Sequence, residues 1–225
     1  LMLNTVSTRE RHPALREPLF ERVLAAACSR HAALPDDEDE ETWERFREHV
    51  LADVLETCYG GLGARYFEIL HSALAAPGVS WRTAEAAAFA ARAPAREVSR
   101  KVVVNNHSAG GGEALEMNNS DALEERVRTE RALAATFGAV VSANTAANTG
   151  VVSAEQRQSP FAAHPRATSS ACRLAGAYAA WFGGGSAEGG RALAKPVVGF
   201  LLAALRSGGP ATFPDAAVAF RATLR

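Results

Sequence analysis

The sequence predicts an all-α protein, an α-α superhelix of the HEAT-repeat type built from about four to five antiparallel helix pairs and incomplete at both ends. Three observations predict it. Apolar residues recur at three- and four-residue spacing through nearly every segment, which is the period of one helical face. Aromatic-led starts recur near Thr42, Ser80, His164 and Phe213, with first and last intervals close to one HEAT or armadillo unit of about 40 to 47 residues and a middle interval of about two. The composition is 48% hydrophobic but only 7% aromatic, and the abundant alanine that accounts for this has the best intrinsic helix propensity and loses no side-chain entropy on burial.

The first helix spans residues 12–31, with Leu15, Leu19, Val23, Leu24 and Cys28 on one face and Pro13 and Pro18 near its start, where the amides lack intrahelical partners anyway. An acidic run follows, and it leads into a helix whose stripe is Trp43, Phe46, Val50, Val54, Cys58 and Leu62, with Leu51, Leu55 and Tyr59 beside it. Glycines at 60, 61 and 63 close that helix. Its partner carries Tyr66, Phe67, Ile69, Leu70, Ala73 and Leu74 and stops at Pro77-Gly78; helices joined so tightly are expected to pack antiparallel. A helix from Trp81 carries Ala84, Ala88 and Ala91 and is expected to bend or end at Pro94. Residues 104–112 read as a surface loop.

The next helix points Leu123, Val127, Ala134, Phe137 and Val141 at a core, and residues 144–163 read as a lengthened connection. The last clear pair is Ala171, Leu174, Ala175, Tyr178 and Phe182 in one helix and Leu193, Val197, Phe200, Leu201, Ala204 and Leu205 in the other, joined by Gly183-Gly184-Gly185-Ser186. A further apolar helix begins at Pro214. The whole reads as one segment, 1–225, with units 12–34 (partial), 42–76, 80–143, 164–207 and 213–225 (partial), and with 104–120 and 144–163 as flexible connections. Partial units should leave apolar surface bare, so self-association or marginal stability is expected.

A formal net charge of −1 gives no basic excess toward nucleic acid. No run approaches the roughly 20 apolar residues of a membrane span, and Leu1-Met2-Leu3-Asn4 does not open a secretory signal. Cys28, Cys58 and Cys172 are too few and scattered for a disulfide framework and read as buried thiols in a cytosolic or nuclear protein. The glycosylation-like triplets at Asn106 and Asn118 then count as chance strings.

Two charged clusters are candidate partner-binding sites. Asp36, Asp37, Glu38, Asp39, Glu40 and Glu41 read either as a solvated cap favouring the positive end of the Trp43 helix or as a contact for a basic partner. Arg126, Arg128 and Arg131 read either as a solvated helix face or as a partner contact. Catalysis is weakly supported: Cys28 with His31, or Cys58 with His71, lacks a third group to orient a base or stabilise developing charge. No Cys/His spacing suits zinc, and Gly110-Gly111-Gly112-Glu113 lacks the ending of a phosphate loop. No catalytic, metal or cofactor residue is therefore assigned.

Residues 46–59 (FREHVLADVLETCY), 62–67 (LGARYF) and 81–89 (WRTAEAAAF) resemble the middle of the transportin-SR and importin-13-like branch of the importin-β (karyopherin-β) receptors. Residues 169–174 (SSACRL), Tyr178, Trp181 and residues 216–221 (AAVAFR) resemble downstream repeats of the same receptors, and the resemblance is weakest over 102–163. It implies a nuclear transport receptor that wraps an Arg/Ser-rich or folded cargo protein and shuttles between cytoplasm and nucleus, in import. Ran GTPase and nucleoporins would be met through other parts of a full-length protein. No binding residue is carried over from the family. The alternative is a HEAT-repeat scaffold organising a cytosolic complex.

Overall fold

The computed structural model describes residues 13–31, 39–103, 119–148, 160–161, 164–183, 188–207 and 209–224, and every regular element among them is helical. Helix α1 (Pro13–His31) buries Phe20, Leu24 and Ala27 and exposes Leu19, so its core face is turned from the expected stripe. Phe20 is the reason: its ring fills the space beside Gly61, where an added Cβ would strike it. Pro18 lies inside the helix rather than at its first turn.

Helix α2 (Glu40–Phe46) is capped by Asp39, whose carboxylate accepts the Thr42 N–H at 3.0 Å. It runs into a π-helical turn, Arg47–Leu51, and then α3 (Ala52–Leu62). On an ideal α-helix a four-residue repeat drifts about 40° per step, and the wider turn, bonded i to i+5, absorbs one extra residue. Trp43, Arg47, Leu51, Leu55 and Tyr59 thereby return to one buried line. The expected stripe through Phe46, Val50 and Val54 is exposed instead, because a constant period misses that extra residue.

Gly60 and Gly61 belong to α3, and the break falls at Gly63, whose φ of 58° is a glycine conformation. Helix α4 (Ala64–Leu74) starts at once, its first N–H donating to Glu125 Oε1 at 2.7 Å. Helix α5 (Trp81–Arg92) is capped by Ser80, which accepts the Thr83 N–H at 3.1 Å. Pro94 sits in the turn before α6 (Ala95–Val103), as its missing amide donor requires.

Helix α7 (Asn119–Asn148) takes in residues assigned by sequence to both flexible connections. Residues 104–118, 149–159 and 162–163 lie outside the described residues. Leu123 is 58% exposed and Val127 is also exposed, contrary to expectation, whereas Leu133, Phe137, Val140 and Val141 are buried. The Glu130 and Ala134 turn of α7 meets Gly189 at the start of α10, and Leu123 and Val127 lie earlier on α7 than that contact. Next come α8 (Pro165–Ala177), α9 (Ala179–Gly183), α10 (Glu188–Ser207) and α11 (Phe213–Thr223). The apolar residues of α8 to α10 pack as the sequence predicts, apart from a short break at Tyr178 between α8 and α9, whereas α11 buries Ala216 and Ala219 and exposes Phe213 and Val218.

The helices pack in two rows. In one, α4 lies on α7 and α7 on α10; in the other, α5 lies on α8 and α8 on α11. At one end α1 packs on α3 and α5, while side chains of the α2–α3 helix reach α5. Contacts α1 with α3, α4 with α5, and α10 with α11 tie the rows together. The four starts near Thr42, Ser80, His164 and Phe213 thus head the members of a single row, α2–α3, α5, α8 and α11. The long middle interval holds no extra member of that row, because α5 and α8 touch directly. Alanines 84, 86–88, 90 and 91 are buried around most of α5, which lets neighbouring helices approach closely. Tyr66 Oη donates to Ala90 O at 2.7 Å and Tyr178 Oη to Ala91 O at 3.0 Å, so both buried hydroxyls are satisfied by that helix.

Candidate functional site

The most constructed polar feature is a ladder of charges along the row α2–α3, α5, α8, α11. At its centre Arg47 and Glu85 are 2% and 3% exposed and bonded through Arg47 Nη2 and Glu85 Oε1 at 2.7 Å. The pair comes from two apolar stripes: Arg47 stands four residues from both Trp43 and Leu51, and Glu85 interrupts the alanine run of α5. The same Glu85 oxygen accepts from Ser170 Oγ at 2.8 Å, and Arg166 Nε stands 3.9 Å away. Arg47 also reaches Glu44 at 3.2 Å and lies over the Phe89 ring, 4.4 Å from its centroid. Burial pushes the Arg47 guanidinium down from its ordinary value, and Glu85 and Glu44 oppose that shift.

From this centre the ladder continues in both directions. Arg92 of α5 pairs with Glu48 of the π turn. Arg173 of α8 bonds Glu44 at 2.6 Å and Asp215 of α11 at 3.1 Å, and Ser169 also donates to Asp215. Burial pulls the Arg173 guanidinium down, but its bonds to Asp215 and Glu44 leave it above its ordinary value. Arg166 lies 3.7 Å from both Glu40 and Glu44. At the heads of α5 and α8, Trp81 stacks on His164 with centroids 3.7 Å apart and planes 8° apart. The His164 Nδ1 accepts the Arg166 N–H, capping α8. Such a set fixes how one helix sits on the next, since each buried charge needs its partner on a neighbouring helix.

The expected partner-binding residues fall elsewhere. Asp36, Asp37 and Glu38 lie outside the described residues. Asp39 is the α2 cap, Glu41 pairs with Arg45 at 2.8 Å, and Glu40 sits at the edge of the ladder near Arg166. Arg126 pairs along its own helix with Glu130 at 3.1 Å. Arg128 grips Glu68 of α4 with two bonds, at 2.8 and 3.1 Å, and Arg131 is exposed. The three arginines therefore differ in their surroundings: one pairs along its own helix, one reaches α4 and one is exposed. The ladder residues were passed over because only clustered charges were taken up from the sequence; charges standing inside an apolar stripe were the available signal.

Burial pushes the Cys58 thiol up to about 11 and the Cys172 and Cys28 thiols up to about 12, Cys28 also being raised by Cys58. These thiols stay protonated near neutral pH, where a nucleophile needs the thiolate. His71 Nδ1 is buried without a hydrogen-bond partner. Among the described residues no group of three or more His, Cys, Asp or Glu could hold a metal ion, and no helix is long and apolar enough to cross a membrane. Compared with known proteins, the chain matches no protein-family model, no curated protein and no solved structure.

Proposed function

We propose that the chain is part of a HEAT-repeat transport receptor of the importin-β kind, holding a cargo protein on a curved helical surface for import into the nucleus. The observation that carries this reading is the packing of helices into two rows, where neighbours in a row follow one another in chain order. Stacked repeats have that pattern because each rung meets only the rung before and the rung after. The segments that resemble the receptors support it as well. Residues 46–59 lie in the α2–α3 helix, 81–89 in α5, 169–174 in α8 and 216–221 in α11, which are successive members of one row, while residues 62–67 run from the end of α3 into α4 of the other row.

Cargo contact is assigned to charges on the surface, Glu40, Glu41 and Arg131 among them. The test is capture of Arg/Ser-rich cargo by the gene product containing this chain, with and without GTP-loaded Ran. Cargo should be released by Ran; retention that ignores Ran sinks the proposal. A cytosolic scaffold is the second reading, favoured by the ladder, whose ion pairs hold rung spacing fixed as a platform for permanent subunits requires. Co-purification with a constant set of cytosolic subunits, without any nuclear-envelope signal, would decide for it.

A further inference from the structure

We draw no further inference here: the strongest candidate, the side-chain cluster at the heads of α5 and α8 where Arg82 lies over Trp81, Trp81 stacks on His164 and Ser80 and His164 cap the two helices, rests on helix N-termini alone, and nothing among the described residues points to a ligand there.

Discussion

The two helical rows use the same chemistry at different depths. In the row α2–α3, α5, α8, α11 the link between helices is Arg47 with Glu85, sealed from water and shared with Ser170. In the row α4, α7, α10 it is Glu68 with Arg128, joined by Glu21 of α1 with Arg65 of α4, all at the surface. The geometry of the exposed set is as good, since Arg128 grips Glu68 with two bonds. Burial, not bond count, sets what each link is worth: a buried charge deprived of its partner keeps its desolvation cost, while an exposed one recovers water.

Breaking the deep link should give the largest effect. Glu85→Ala leaves Arg47 buried without its main carboxylate and should destabilise by about 3–5 kcal/mol, measured by urea unfolding. Replacing both partners, Arg47→Met with Glu85→Leu, should recover most of that loss, because an apolar pair of similar volume avoids desolvation altogether. If the double variant is no more stable than Glu85→Ala, the ladder is not an ion-pair device and the contrast between rows fails.

Next in size are two places where the ladder row depends on shape and caps. Gly61→Ala drives a methyl into the Phe20 ring and should cost about 1–3 kcal/mol. His164→Ala removes both the α8 cap and the stack on Trp81 and should cost about 1 kcal/mol for the cap alone. A thermal melt of each variant checks the order.

Helix content and the start of each ladder-row helix were legible in the sequence. Asp39 and Ser80 sit where a short polar acceptor precedes an apolar run, and the structure uses both as caps. The face of each helix was less legible. A fixed period carried through residues 47–51 assigns Phe46, Val50 and Val54 to the core, and only the π turn reveals the slip. Along α7 the same period was sound where α10 flanks the helix and misled at Leu123 and Val127, which precede that contact on a stretch where Glu125 and Arg128, not the apolar residues, meet α4. Arg47 and Glu85 were hidden for another reason: each looks like an ordinary surface charge until the other, 38 residues away, is known to face it.

The surface row yields the smallest and most pH-dependent effect. Hydrogen bonding from Arg128 holds the Glu68 carboxyl below its ordinary range, with Arg65 adding to the shift and partial burial opposing it. A carboxylate depressed on folding contributes stability that is complete above its unfolded value of about 4.3 and is lost as pH falls through the lower folded value. Arg128→Ala should therefore cost about 0.2–1 kcal/mol at neutral pH, discounted for solvent screening. That cost should vanish in acid, once Glu68 is protonated in both states. Urea midpoints of the wild type and Arg128→Ala should thus converge below the folded value and separate again above it. A gap that persists unchanged into acid would mean that Arg128 acts through the packing of its stem, and the two rows would then differ in more than the depth of their charges.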